Sequence, residues 1–211
     1  MSDLNPEKAL IFRITHIANV PWLLAHGLHC RNSSEFDPDF LNIGNPDLIS
    51  RRHHRPVPVT PGGTLSDYVP FYFTPYSIML YNIKTGYGGV PRQSSDQIVI
   101  LVSSLRKVAE LGIPFVFTNQ HAYPVAAEYF NSLGDLGRID WPLLQARDFH
   151  HDPEDPGKKE RYQAEALVHR HLPVNGLLGI GCTTEASRRL QTDLQKRNLP
   201  LQVVVRPDWY F

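Results

Sequence analysis

The 211 residues carry 21 Lys and Arg against 21 Asp and Glu, a formal net charge of zero, with 42% apolar and 20% charged residues. That length fits one domain with a sizeable core, too short for two full ones, and the composition excludes extended disorder. With no global field, any attraction for nucleic acid must come from a local basic patch, and Arg51-Arg52-His53-His54-Arg55 is the candidate. Cys30 and Cys182 stand far apart, giving neither a disulfide framework nor metal-ligand spacing, which fits a reducing cytosol. Met1 to Pro6 has no basic and apolar leader pattern, and no apolar run approaches membrane-spanning length, so a cytoplasmic protein with no membrane partner is expected.

Leu10 to Ile17, rich in β-branched and aromatic residues, reads as a first strand. Asn19 stands at the cap position, Pro21 at the start and Gly27 at the end of a short helix over 20–26, so Thr15, His16 and Asn19 meet at a strand-to-helix junction. From Cys30 to Thr64 the chain is dense in Pro, Asn, Asp, Gly and Ser with few periodic apolar positions, a long irregular segment of the kind that is disordered or binds a ligand. Pro61-Gly62-Gly63 is a turn. Tyr68 to Pro75 is an aromatic strand whose Phe71 and Phe73 share one buried face, and a short helix follows through Tyr81.

Gly86-Tyr87-Gly88-Gly89 is a turn that lacks the helix and the Gly-Lys-Ser/Thr of a phosphate loop. Gln97 to Val102 reads as a buried strand, Leu105 to Leu111 as a helix ended by Gly112, and Ile113 to Thr118 as a strand that delivers Asn119, Gln120 and His121 to a loop. Helices are expected over 123–133 and 141–147. After a polar loop, His150 to Lys159, come a strand opening with Glu165 and another over 177–182. A helix begun by Thr183 or Thr184 has an apolar stripe at Ala186, Leu190 and Leu194, and the last strand covers 201–206. Six or seven short strands with irregularly inserted helices predict the α+β class rather than a regular βαβ winding.

Glu165 is the sharpest signal. It heads a segment that otherwise reads as a buried strand, and an isolated buried carboxylate is costly, so acids in such places are paired or needed for chemistry.

The stretch Lys158-Lys159-Glu160-Arg161-Tyr162-Gln163-Ala164-Glu165-Ala166-Leu167-Val168 resembles the catalytic strand of the DarT family of DNA ADP-ribosyltransferases. Further stretches agree in order: Ile14-Thr15-His16-Ile17; Ile43 to Arg52; Asp67 to Phe73 with Met79-Leu80-Tyr81; Pro114 to Thr118 followed by two polar residues and His121; and the closing Asp208-Trp209-Tyr210-Phe211. The resemblance implies a single ADP-ribosyltransferase-like domain over 1–211, with two short, mainly antiparallel sheets forming an NAD cleft and helices around them. Residues 30–64 would cover the substrate. It implies NAD as co-substrate without a metal, and transfer of ADP-ribose to thymine in single-stranded DNA by a toxin whose partner is a macrodomain antitoxin.

Carried over residue by residue, the resemblance makes Glu165 catalytic together with Arg51 or Arg52, which the sequence does not separate. Thr15, His16, Asn19, Gly44, Leu48, Arg51, Tyr72 and Tyr81 fall to the cofactor, Tyr81 as a stacking partner for nicotinamide. Met79, His121, Lys158, Lys159 and Arg161 fall to DNA. Two other readings stay open. Ten histidines, including His53-His54, His150-His151-Asp152 and His169-x-His171, raise a metal-dependent hydrolase, although neither adjacent pair has ligand spacing and the last lacks a defined third ligand. A non-catalytic nucleotide or DNA-binding module is the other.

Overall fold

Ile98–Ser104 is an almost unbroken run of β-branched and aliphatic residues, and it lies buried in the middle of the sheet, as a strand covered on both faces should. In the computed structural model, which describes residues 3–211, the strands are β1 (Leu10–His16), β2 (Leu28–His29), β3 (Tyr68–Tyr72), β4 (Ile98–Ser104), β5 (Phe115–Thr118), β6 (Tyr129–Phe130), β7 (Glu165–His169), β8 (His171–Leu172), β9 (Gly179–Cys182) and β10 (Gln202–Val205). The helices are α1 (Val20–His26), α2 (Pro46–Arg52), α3 (Ile78–Thr85), α4 (Leu105–Glu110), α5 (Trp141–Ala146), α6 (Lys158–Arg161) and α7 (Thr184–Lys196). No helix among the described residues is long and apolar enough to cross a membrane.

Eight strands form one sheet in the order β10-β9-β4-β1-β3-β7-β5-β6, and β2 pairs with β8 beside it. All pairings are antiparallel except β10 with β9. The two expected short sheets are therefore joined, but barely. β1 lies along β4 from Leu10 to His16, and β3 along β7 from Tyr68 to His169, whereas β1 and β3 meet only at Phe12 and Tyr72. Beyond that pair the two halves splay, and the gap is the cleft.

Two sequence expectations fail here. Residues 123–133 form no helix: Asn119 and Glu128 close a hairpin through backbone and side-chain hydrogen bonds, and Tyr129 and Phe130 pair with Thr118 and Phe117. Tertiary pairing at the sheet edge overrides the helix-forming Ala126, Ala127 and Glu128, and Pro124 cannot sit in a helix interior at no cost. The segment from Cys30 to Thr64 is not irregular throughout. It carries β2-adjacent turns and then α2, whose cap is Asn45, its side-chain oxygen accepting from Leu48 N at 3.0 Å.

Candidate active site

Glu165 opens β7, and its strand neighbour across the ladder is Tyr72 of β3. Its carboxylate is buried, with side-chain exposure of 3%. Two donors hold it through three contacts. Arg52 Nη1, at the C-terminal end of α2, donates to Oε2 at 2.9 Å and to Oε1 at 3.1 Å, and the Ala122 N–H donates to Oε1 at 3.0 Å. His121 Nε2 stands 3.7 Å from Oε1. The Glu165 N–H donates to Thr118 Oγ1 at 3.3 Å, and that hydroxyl donates to Gln120 O at 2.6 Å, so the strand end and the following loop form one rigid corner. Burial, then the carboxylate of Glu165, push the Tyr72 phenol well above its usual range, so it stays neutral at pH 7.

Arg52 Nη2 is buried and has no hydrogen-bond partner. A buried unsatisfied donor on a charged group is costly, and its natural remedy is an acceptor on a ligand. Around it lies a cavity of about 170 Å³, lined by Thr15, Gly44, Leu48, Arg52, Tyr72, Met79, His121 and Glu165 among others. A larger neighbour of about 550 Å³, reaching Trp22, His29 and Tyr68, adjoins it. Together they offer the volume and the mix of apolar wall and few polar groups expected for a dinucleotide.

The cleft gathers most of the residues singled out by sequence, and it separates the two arginines. Arg52 turns inward to Glu165, whereas Arg51, one helical position away, is exposed and lines neither cavity. The basic cluster is thereby split, with Arg55 Nη2 donating to Pro124 O at 3.0 Å and His53 and His54 left at the surface. Gly44 lies close against α3: a Cβ there would come within 2.9 Å of Met79 Cε, and the flexible end of that methionine would have to shift to admit one.

Other assignments move. Tyr81 lies outside the cleft, packed on Phe149 and Phe211 with ring centroids at 5.9 and 5.2 Å. The reason is helical phase: Met79 and Ile83, four apart, face the cleft, and Tyr81 sits about 200° from Met79 round the helix. Asn19 does not cap α1. Its amide donates to Thr15 Oγ1 at 3.1 Å and Leu41 O at 3.0 Å and its oxygen accepts from Leu41 N at 2.9 Å, which pins the covering segment to β1. His16 is buried beside the cleft, its Nδ1 accepting from Ala18 N at 3.1 Å.

Of the three basic residues before β7, two are already engaged. Lys158 pairs with Asp148 at 2.5 Å, and Arg161 grips Asp155 through two bonds of 3.0 and 2.6 Å and Asp140 through a third of 3.1 Å, whereas Lys159 is exposed. His169 packs on Tyr68 and His171 on His29, and no three His, Cys, Asp or Glu side chains converge as metal ligands among the described residues.

Sequence reasoning missed Arg13, the Ala122 N–H and Tyr129, whose hydroxyl donates to Ala122 O and so steadies the loop that holds Glu165. Arg13 had a readable signal, a charge in the middle of a central strand. The other two had none, because a backbone amide and a hairpin register leave no mark in residue type.

A family model described as ssDNA thymidine ADP-ribosyltransferase, DarT, matches residues 12–211. The chain belongs to the DarT family. It is 56% identical, over all of its own length and 97% of the relative's, to a DNA ADP-ribosyl transferase of Escherichia coli O127:H6. Among solved structures it is similar to Thermus sp. 2.9 DarT in complex with ADP-ribosylated ssDNA, with a TM-score of 0.89 at 35% identity over 98% of each chain. The same Thermus protein in complex with NAD+ matches with a TM-score of 0.85 at 34% identity, covering 98% of this chain and 99% of that one. The ADP-ribosyltransferase-like fold and the enzyme class expected from the motifs therefore hold for this family member.

Proposed function

We propose that this chain transfers ADP-ribose from NAD to a thymine base of single-stranded DNA and releases nicotinamide, with Glu165 and Arg52 as its reacting pair. The observation that carries the assignment is the buried Glu165–Arg52 pair facing the cleft, with Arg52 Nη2 left without an acceptor. In this reaction the bond between the ribose carbon and the nicotinamide nitrogen breaks with its electrons going to nicotinamide, leaving positive charge on the sugar as in glycoside cleavage. The fixed carboxylate of Glu165 stabilises that charge. A thymine ring nitrogen forms the new bond to the sugar carbon and gives its proton to Glu165, since that nitrogen is a poor nucleophile until deprotonated. Arg52 Nη2 donates to the base as negative charge develops on it, while Nη1 keeps the carboxylate in place.

Thr15, Gly44, Leu48 and Tyr72 form the walls against which NAD lies, and Met79 and His121 meet the incoming base. The base must be unstacked to enter, so single-stranded DNA is the substrate the cleft suits. Lys159, exposed and unpaired by any carboxylate among the described residues, is the phosphate contact of the loop before β7, and Lys158 and Arg161 hold that loop in shape. Family membership supports reading the chain as a toxin that acts in the cytoplasm, with a macrodomain antitoxin as its partner.

Mass spectrometry of a thymine-containing oligonucleotide after incubation with protein and NAD tests the activity. One added ADP-ribosyl group on thymine is expected, and an unmodified oligonucleotide would return the protein to the class of non-catalytic binders.

A further inference from the structure

The two cavities share one wall, formed by Arg13, Phe40, Asn42, Ile49, Arg52 and Pro70. Only the two arginines on it are charged. Arg52 is neutralised by Glu165, whereas Arg13 has no carboxylate partner among the described residues: its Nη1 donates to Pro70 O at 2.9 Å, across the gap where β1 and β3 part. Glu35 and Asp37 also line the larger cavity, but neither belongs to the shared wall. Burial, and then the like charge of Arg52, lower the pKa of Arg13 to about 10, so it remains protonated at neutral pH. Arg13 is half-buried at the floor of both cavities, beside another cation and with no counter-charge among the described residues, so a bound anion would gain from its charge and relieve its partial desolvation.

We propose that Arg13 seats the diphosphate of the dinucleotide, with the nicotinamide ribose in the cavity of Glu165, the adenosine half in the larger cavity, and the linking diphosphate crossing their shared wall. This rests on the NAD-dependent reading above. The guanidinium presents five donors in a planar fork suited to phosphate oxygens, and Pro70 O occupies one of them. A diphosphate there also screens Arg13 from Arg52, which leaves the free donor of Arg52 to the acceptor base.

Two variants test it. Arg13→Gln keeps a donor for Pro70 O and removes the charge, and Arg13→Lys keeps the charge without the fork. Each is titrated calorimetrically, alongside wild type, with NAD, with ADP-ribose, with nicotinamide riboside, which lacks the diphosphate, and with a thymine-containing oligonucleotide. The expected result for Arg13→Gln is about tenfold or greater weakening for NAD and ADP-ribose, a flatter salt dependence of NAD binding, and unchanged affinity for nicotinamide riboside and the oligonucleotide. Its KM for NAD rises while kcat is held, and Arg13→Lys falls between it and wild type. Equal weakening of all ligands, a loss confined to the oligonucleotide, or unchanged NAD binding would overturn the assignment. Because the titration does not depend on transfer, wild type that binds NAD but modifies no DNA would sink the functional reading and leave Arg13 to be judged by its own numbers. Wild type that binds no NAD would sink both.

Discussion

Glu165 is buried, Arg52 is half-buried, and each is the other's charge partner, so the proposed chemistry treats the two as a unit. Glu165→Gln keeps the volume and removes the base, and transfer should fall by about 10³-fold with NAD affinity retained, as steady-state rates and calorimetry would show. Near-normal turnover would take Glu165 out of the mechanism. The arginines should part company: Arg52→Ala abolishes transfer, whereas Arg51→Ala, which removes an exposed side chain, leaves it close to wild type. At pH, the informative residues are His16 and His169, both lowered by burial from the usual 6.5. As pH falls below that value the unfolded chain takes the proton first, so thermal stability should rise with pH through this window and be lost below it. His16→Asn, which still accepts from Ala18 N, should flatten that dependence in melts between pH 5 and pH 7, values chosen about the ordinary histidine range. Glu165 was legible in the sequence because a charge on an apolar strand contradicts its surroundings. The same rule names Arg13. Which of Arg51 and Arg52 faces inward was not legible, because it depends on the rotation of α2 about its axis, which is set by how the capped helix is seated and not by residue type.

Short elements with firm ends carry the site. α2 is one such element, and Asn45→Ala should cost about 1 kcal/mol by removing its cap, with a fall in kcat as Arg52 loses its anchorage; a variant with unaltered melting and unaltered kcat would contradict this role. In the loop leading through α6 the basic residues divide. Lys159→Ala should weaken oligonucleotide binding and reduce its salt slope by about one, whereas Arg161→Ala should disturb loop order through the loss of Asp155 and Asp140 without changing that slope. β1, β4 and β7 were readable from residue type, α1 from Pro21 and Gly27 at its ends although Asn19 makes no cap bond, and α7 from its stripe of Ala186, Leu190 and Leu194, buried as expected. The hairpin after β5 was not, because its pairing partner lies in another element and Ala-rich composition points toward helix.

At the scale of the whole molecule the cleft exists because the sheet is joined at Phe12 and Tyr72 and open beyond them. The chain's last residues brace that junction from behind. Trp209 packs edge-on against Phe12 at 5.4 Å and over Gly181, and Tyr210 donates to Ile98 O at 3.0 Å. A methyl at position 181 would run into the indole, so Gly181→Ala should destabilise by about 1–3 kcal/mol in denaturant unfolding. The closing aromatic motif is thus a structural brace, legible in the sequence only as a resemblance. The cleft itself needed the register of β1 against β3, which no local pattern reveals. In the proposed reaction a buried acid at the mouth of β7 moves ADP-ribose from NAD onto a thymine ring nitrogen, and every other role depends on that step. Tandem mass spectrometry of a single-thymine oligonucleotide treated with wild type and with Glu165→Gln is the decisive experiment. One ADP-ribosyl group on the thymine base is expected with wild type and none with the variant; modification of another base or of the backbone, or equal modification by both proteins, would contradict the proposed reaction.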